Sequence, residues 1–213
     1  SFAQSMRSGI GSLVSTLRKL RQHTNAMRFL LSFLVYNDGV QTVIIMATIF
    51  ARSVLGLGYD TLIGALLLTQ AVGVPGSILY GRAARRFGAK KSILAGIVAY
   101  IAIVTYAFRM KTAAEFWVLA GLVGLFQGGI QAISRSLYSR LIPESMSSEF
   151  FGFFAISSRF ASVFGPLVFA LIGDLTGSIR LSILAMSALF VVGLLLLLPV
   201  REPPEEPAFE RSA

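Results

Sequence analysis

Long apolar runs separated by short polar segments are the dominant pattern of this 213-residue chain. A bilayer core about 30 Å thick is crossed by an α-helix of ~20 mostly apolar residues. Six runs approach or reach that length, at residues 29–50, 61–80, 92–108, 116–137, 150–172 and 181–200. The pattern therefore predicts an all-α membrane protein with a six-transmembrane-helix bundle.

Composition supports lipid as the main solvent of this chain. Hydrophobic residues make up 55% of it and charged residues only 14%, whereas soluble domains carry about 25% charged residues. The formal net charge of +9 is spread over short segments between the apolar runs, so it does not indicate a nucleic-acid partner. We expect a multi-pass integral membrane protein.

The basic residues predict the orientation of the bundle. Most of the 19 lysines and arginines precede the first span, occupy the 81–91 loop, follow the fourth span or lie in the tail. The other side of the membrane holds only Arg52, Arg109, Lys111 and Arg180. Because cytoplasmic loops carry the excess of positive charge, both termini are predicted to be cytoplasmic.

The segments flanking the 27–200 bundle differ from it in composition. Within residues 1–26, apolar side chains recur at helical spacing beside basic ones, which predicts an amphipathic basic cytoplasmic linker segment. Residues 201–213 are rich in proline and glutamate, which predicts a disordered cytoplasmic tail. The start at Ser1 favours a fragment or a processed product.

Two ionisable side chains lie deep within predicted spans. Asp38 and Arg159 are each the tenth residue of a span that runs outward from the cytoplasm. At 1.5 Å per residue, both lie ~13–15 Å from the cytoplasmic edge. Charges at that depth need partners or water, so the two residues form either a pair or two walls of one hydrated cavity. A structural or gating role and direct solute or proton handling both remain open.

Amide side chains accompany these charges. Asn37 and Gln41 share a helix face next to Asp38, and the fourth span repeats the pattern with Gln127 and Gln131, followed by Arg135. Gln70 lies in the second span. Lipid offers these groups no hydrogen bonds, so they either line a solute pathway or join helices to one another.

Glycine and proline mark points of close packing or bending. Gly124 and Gly128 form a small-xxx-small step that permits close helix contact. Pro75 and Pro166 lie inside the second and fifth spans, where each removes a backbone hydrogen bond. Each proline is interpreted as either a hinge or a static bend.

No arrangement typical of an enzyme occurs. The only histidine, His23, precedes the first span, the chain has no cysteine, and no phosphate-binding or nucleophile motif is present. We therefore predict that the chain is not an enzyme, has no metal site and needs no cofactor.

The segment between the second and third spans, residues 81–91, resembles the cytoplasmic signature loop of major facilitator superfamily transporters. The residues that would form a gating loop are Gly81, Arg85, Arg86, Gly88 and Lys90, and all of them except Arg85 fit the pattern, as does Lys91. Arg85 stands where that pattern has an acidic residue, so a charge pair through that position is not expected here.

Three further segments are similar to the vacuole-effluxer-like, autophagy-related permease branch of the superfamily. They are residues 36–42 (YNDGVQT), 128–136 (GGIQAISRS) and 149–153 (EFFGF). The resemblance implies half of a major facilitator fold, with two inverted three-helix repeats and an absent amino-terminal six-helix half as partner. It also implies a bacterial plasma-membrane location.

The resemblance implies a secondary active transporter of small solutes that works by alternating access. Amino-acid efflux is one activity that it suggests, and Asp38 is the residue through which transport could be coupled to protons. The pathway residues would be Asn37, Asp38, Gln41, Gln70, Gln127, Gln131 and Arg159. A transporter of sugars or lysophospholipids and a receptor or scaffold with a transporter-like fold are the alternatives.

Overall fold

The computed structural model describes residues 15–203, apart from the side chains of Ser157, Phe160 and Ala161, and this part of the chain is helical. A helical segment over 15–22 precedes seven helices and one short 3₁₀ helix, Glu144–Met146. The helices are α1 (Thr24–Leu55), α2 (Tyr59–Phe87), α3 (Ala89–Arg109), α4 (Ala113–Leu141), α5 (Ser147–Ala161), α6 (Phe164–Thr176) and α7 (Ile179–Leu197).

Five of these helices are long and apolar enough to cross a membrane: α1, α2, α3, α4 and α7. They correspond to five of the six predicted spans. Large apolar side chains cover the outside of the bundle, and Leu67, Val74 and Leu175 are each more than half exposed. An outer surface of this kind suits lipid and would aggregate in water.

The prediction of one continuous helix for the fifth span, 150–172, is wrong. The chain breaks at Ser162 and Val163, so that α5 and the shorter apolar helix α6 replace one helix. Pro166 contributes to the break, since it cannot donate to the carbonyl of Ser162 and its ring crowds that carbonyl, and Gly165 at the start of α6 packs against Thr42 and Asp38. The break creates a new helix N-terminus inside the bundle.

The predicted 81–91 loop is also wrong, because most of it is helical. Gly81, Arg85 and Arg86 lie in the last turns of α2, and Gly88 alone separates α2 from α3, whose second residue is Lys90. Alanine and arginine favour helix, and basic residues are favourable in a last turn. Gly88 has a φ of 92°, a backbone conformation that favours glycine, and this residue makes the corner.

Small residues bring α2 and α4 into backbone contact. A Cβ at Gly124 would lie 2.5 Å from the Thr69 carbonyl oxygen, and one at Gly76 would lie 2.5 Å from that of Leu125. The Thr69 hydroxyl donates to the Ala120 carbonyl across the same interface at 3.1 Å. The predicted close contact at the small-xxx-small step of α4 is therefore confirmed.

The centre of the bundle is α1, which packs against α4, α5, α6 and α7. Ser32 donates to the Gly193 carbonyl of α7 at 2.7 Å, and Gly193 leaves no room for a side chain beside Tyr36. Phe29, Phe50 and Phe190 are fully buried around this helix. The core thus fixes the rotation of α1 and, with it, the direction in which its polar residues point.

Both flanking segments contact the same end of the bundle as far as they are described. In the 15–22 segment, Leu20 is fully buried and Lys19 pairs with Glu149 at 2.9 Å. Residues 201–203 of the predicted disordered tail hold defined contacts, among them an ion pair of Glu202 with Arg140 at 3.0 Å. The remaining parts of both predicted segments, 1–14 and 204–213, lie outside the described residues.

Candidate functional site

A cavity of about 300 Å³ lies between α1, α4 and α5. Each helix contributes side chains spaced four residues apart, which places them on one helix face. Ten residues line it: Phe33, Asn37, Gln41, Ile45, Gln131, Arg135, Phe154, Ser158, Arg159 and Ser162. Four predicted pathway residues, on three separate helices, are thus brought together.

The α1 face of the cavity has amides in the middle and apolar groups at both ends. Asn37 and Gln41 lie between Phe33 and Ile45 along a stripe with a four-residue step. Asn37 is buried and Gln41 is half-buried. The two amides can donate and accept hydrogen bonds at the level where the surrounding helix surface is apolar.

The α4 face contributes Gln131 and Arg135, one turn apart. The side-chain nitrogen Nε2 of Gln131 is buried and has no hydrogen-bond partner among the described residues. A buried donor of this kind is costly when unsatisfied, so a bound solute or water is the natural partner. Gln127 lies one turn earlier, is partly exposed and does not line the cavity.

The α5 face combines an aromatic floor with hydroxyl groups. Phe154 stacks on Phe33 with ring centroids 4.3 Å apart and on Tyr138 at 4.8 Å. Ser158 and Ser162 follow at four-residue steps, and Arg159 is exposed beside them. This polar face ends at Ser162, where the chain breaks between α5 and α6.

Both cavity arginines are free of ion pairs within the described chain. The ion pairs there are Lys19 with Glu149 and Arg140 with Glu202. Arg135 and Arg159 are exposed side chains at the cavity wall, and no acidic residue of the described chain lines it. The cavity is therefore positively charged.

Asp38 points away from this cavity, towards α6. Its side chain is 3% exposed, and its oxygen Oδ1 has no hydrogen-bond partner among the described residues. The backbone N–H of Gly165, in the first turn of α6, interacts with the carboxyl group. Helix N-termini favour negative charge, so the break in the fifth span provides the environment for Asp38.

Both predicted arrangements of Asp38 and Arg159, a direct pair and two walls of one hydrated cavity, are wrong, since Asp38 does not line the cavity. No ion pair within 4.0 Å joins them in the described structure. Neighbouring residues on a helix point about 100° apart, which is why Asn37 faces the cavity while Asp38 faces α6. Gln70 is exposed on α2 and does not line the cavity either.

The structure adds cavity residues that the sequence did not single out as pathway residues. Arg135 continues the four-residue repeat of Gln131, which was a usable signal. Phe33 and Phe154 gave none, because an aromatic residue in an apolar run is more often part of the core. Within residues 15–203, no group of histidine and acidic residues is arranged to hold a metal ion.

The backbone arrangement matches that of a solved major facilitator transporter. The chain superimposes on the POT family transporter PepTSo with a TM-score of 0.70 at 18% identity, covering 86% of this chain and 39% of that one. A sequence identity this low is evidence for a shared fold only. The fold class is thus that of a multi-pass helical membrane protein.

Sequence comparison gives the family. The family model "Vacuole effluxer Atg22 like" matches residues 1–204, and the chain belongs to this family of Atg22-like, MFS-type permeases. The MFS-type transporter YxiO of Bacillus subtilis is 42% identical over 190 residues, which is 89% of this chain and 44% of YxiO. Autophagy-related protein 22 of Cryptococcus neoformans is 33% identical over 199 residues, 86% of this chain and 36% of that protein. The chain spans less than half the length of these curated relatives.

Proposed function

We propose that this chain is the carboxy-terminal, six-crossing half of a secondary transporter that moves small solutes by alternating access. In this arrangement α1, α2, α3, α4 and α7 each cross the membrane once, and α5 with α6 makes the remaining crossing. The observation that carries the proposal is the polar cavity between α1, α4 and α5. Amides and guanidinium groups at that depth are costly in hydrocarbon, so they mark pathways for polar solutes.

The packing of the helices supports two inverted three-helix repeats. If α1–α3 form one repeat and α4–α7 the other, a two-fold axis relates the α2–α4 contact to the contacts of α1 with α5 and α6, and the α1–α7 contact to the α3–α4 contact. All of these contacts are present, and α3 also packs against α7. Transporters built in this way place the solute site near the midplane between two halves, and the partner here would be an amino-terminal six-helix half.

The distribution of basic residues supports an orientation in the membrane, and a bacterial relative supports a cellular location. The basic segments before α1 and around the α2–α3 corner support cytoplasmic termini by the positive-inside rule. The relative from Bacillus subtilis supports a bacterial plasma membrane as the location, although the family description names a vacuole effluxer.

Amino acids are the first solutes to test, and efflux is the first direction. The cavity suits them because it offers amide and guanidinium groups beside the Phe33–Phe154 stack. A volume of about 300 Å³ lies at the lower end of ligand sites, ~300–1,000 Å³, which favours a small solute over a lipid. Asp38 is the residue through which proton coupling would act.

The test is solute flux in liposomes that contain the full-length protein. We expect at least one labelled amino acid to cross the liposome membrane. Gln131→Ala should lower its initial rate of transport about tenfold, because it removes the buried donor that the solute would bind. Gln22→Ala removes the same amide from an exposed position in the 15–22 segment and should leave the rate unchanged. Solute binding without flux would favour a receptor over a transporter.

A further inference from the structure

A second cleft, of about 900 Å³, lies at the end of the bundle where α1 and α3 begin and α7 ends. Its basic side chains come from three separate parts of the chain. Arg28 is the fifth residue of α1, Lys90 is the second residue of α3, and Arg201 belongs to the segment that follows α7. The cleft shares no lining residue with the cavity between α1, α4 and α5, so it is a separate candidate site.

The segment that carries Arg201 is held in place by the helices around it. The Asn25 side chain donates to the Arg201 carbonyl at 2.6 Å and accepts from the Arg201 N–H at 2.8 Å. The preceding residue, Val200, is buried, and Lys90 donates to the carbonyl of Leu198 at 2.7 Å. These contacts fix the chain around the opening of the cleft, so the cleft is a defined feature of the fold.

The basic charge of the cleft is not balanced by its own acidic residue. Glu202 also lines the cleft, but its carboxylate pairs with Arg140 and accepts two backbone N–H groups at the start of α3. Within the described chain, Arg28, Lys90 and Arg201 form no ion pair. An anion from outside the chain is therefore the expected partner.

The start of α1 favours the same partner. Its first residue, Thr24, lines the cleft. The first turn of α1 contains no acidic residue, and the His23 side chain makes no capping hydrogen bond. Helix N-termini attract anions through their unpaired N–H groups and the helix dipole, so this end of α1 adds to the attraction of the three basic side chains.

The position of the cleft favours a lipid over a soluble anion. Each of the three helices that meet there is long and apolar enough to cross a membrane, so a cleft at their ends lies at the level of the lipid headgroups. On α7, exposed apolar side chains lead from the cleft into the membrane at three- and four-residue steps: Leu198, Leu195 and Val191. Such steps place them on one helix face, which suits an acyl chain.

We propose that this cleft binds the phosphate of an anionic phospholipid through Arg28, Lys90 and Arg201, with one acyl chain along the Leu195–Leu198 side of α7. Basic pockets between transmembrane helices bind anionic headgroups, and phosphatidylglycerol supplies a phosphate with no amine to repel the three cations. In the proposed orientation this lipid belongs to the cytoplasmic leaflet. The inference goes beyond the proposed function, because the cleft lies outside the solute cavity.

The test first compares two lipids with the same acyl chains on the unmodified full-length protein in detergent. Phosphatidylglycerol and phosphatidylcholine are titrated separately, and native mass spectrometry and thermal unfolding report binding. We expect phosphatidylglycerol to bind at least tenfold more tightly and to raise the unfolding temperature more. The physical reason is that each basic residue near an anionic lipid contributes about fivefold in affinity, the equivalent of ~1 kcal/mol.

Paired variants then assign the preference to the cleft. Arg28→Gln combined with Arg201→Gln should weaken phosphatidylglycerol binding about 25-fold and leave phosphatidylcholine binding unchanged. Both side chains are exposed, so their replacement should leave the fold intact. The matched control combines Arg18→Gln with Arg82→Gln, which removes the same charge from two exposed arginines that do not line the cleft. This control should bind phosphatidylglycerol within about twofold of the unmodified protein.

The outcomes decide the inference separately from transport. Equal binding of the two lipids would overturn it, and so would equal weakening by the two pairs of variants, which would mean a general attraction to basic surfaces. Inorganic phosphate is the third probe. If it stabilises the protein as much as phosphatidylglycerol does, and the Arg28 and Arg201 variant abolishes this effect, the occupant is a soluble anion and the lipid assignment is wrong. Absence of amino-acid flux with intact phosphatidylglycerol selectivity would count against the proposed function alone.

Discussion

The hydroxyls of Tyr36 and Ser134 lie 2.6 Å apart in the buried interface between α1 and α4. Ser134 directs its own proton to the Ile130 carbonyl at 2.5 Å, so Tyr36 is the donor and Ser134 the acceptor. The bond lies one residue before Asn37 on α1 and one residue before Arg135 on α4. It therefore fixes the relative rotation of the two helices that carry most of the cavity amides.

This donor direction predicts unequal effects for the two simplest variants. Tyr36→Phe leaves Ser134 bonded to its own helix and should lower the free energy of unfolding by only about 0.5–1 kcal/mol. Ser134→Ala leaves a buried tyrosine hydroxyl without a partner and should cost about 1–3 kcal/mol. Thermal unfolding in detergent measures both, and a larger loss in Tyr36→Phe would contradict the assignment.

The close contact between α1 and α6 predicts a steric effect at Gly165. A Cβ there would collide with the Thr42 side chain, so Gly165→Ala should destabilise the protein by about 1–3 kcal/mol. Thr42→Ala in the same chain should recover part of that loss, because it removes the colliding hydroxyl.

The control for Gly165→Ala is Gly152→Ala on α5, where an added Cβ meets nothing within 4 Å. This change should be neutral or stabilise the helix by up to about 1 kcal/mol. Equal destabilisation by both alanine variants would mean that α6 does not pack against Thr42 as described.

The position of Asp38 predicts a selective effect on coupling. Asp38→Asn keeps the size of the side chain, removes the charge that faces the start of α6, and should abolish uptake driven by a pH gradient while protein abundance stays normal. Counterflow of labelled solute without a gradient should persist. Unchanged pH-driven uptake in this variant would remove Asp38 from proton coupling.

The contact between the 15–22 segment and α5 predicts a response to acid. The hydrogen bond from Thr16, at 2.6 Å, and then the one from Lys19 lower the pKa of Glu149 below its usual range. Because the pKa is lowered, the contact stabilises the folded state fully at pH values above the pKa of the unfolded state. This stabilisation is lost as the pH falls through the pKa of the folded state.

Hydrogen exchange of residues 15–22 measures this contact. The protection factor, which is the intrinsic exchange rate at each pH divided by the observed rate, should be high at neutral pH, lower in acid, and low at both pH values in Glu149→Gln. Glu144→Gln, at an exposed position in the 3₁₀ helix, is the control. If Glu149→Gln exchanges as slowly as the unmodified protein at neutral pH, the ion pair does not hold this segment.

The contacts of Glu202 predict that this residue anchors the segment after α7 to the start of α3. Its carboxylate accepts hydrogen bonds from the backbone N–H groups of Ala89 and Lys90, at 2.7 and 3.0 Å, and pairs with Arg140. Glu202→Ala should expose the first turn of α3 and lower stability by about 1–2 kcal/mol, as the loss of a helix cap does. Unchanged exchange of the Ala89 and Lys90 amides in Glu202→Ala would contradict this contact.

Hydropathy alone was sufficient to predict most of the fold, because lipid demands long uninterrupted apolar helices. Five of the spans correspond to continuous helices. The break before Pro166 could not be located from the sequence, since Pro75 lies within the unbroken α2. What differs is the surrounding structure: the start of α6 packs against Thr42 and Asp38, and neither contact has a sequence signal.

The sequence predicted those residues of the candidate site that recur every four positions along a helix. It could not predict which residues face the cavity where that depends on the rotation of a helix about its axis. Asn37, Gln41 and Gln131 follow the four-residue step and share the cavity. Asp38 is adjacent to Asn37 in sequence, but only the packing of α1 on its neighbours reveals which of the two faces the cavity. The contacts of Glu202 were hidden because its proline-rich surroundings are typical of disorder.

The central claim is that the cavity between α1, α4 and α5 contains water and solute, and cysteine labelling tests it most directly. This chain has no cysteine of its own, so Gln41→Cys and Gln131→Cys can be compared with Leu67→Cys, whose position is 64% exposed on the outside of the bundle. A charged, membrane-impermeant thiol reagent needs a hydrated thiolate. Labelling should be fast at residues 41 and 131, slower when solute is present, and almost absent at residue 67. Fast labelling at residue 67 with none at residues 41 and 131 would contradict this claim.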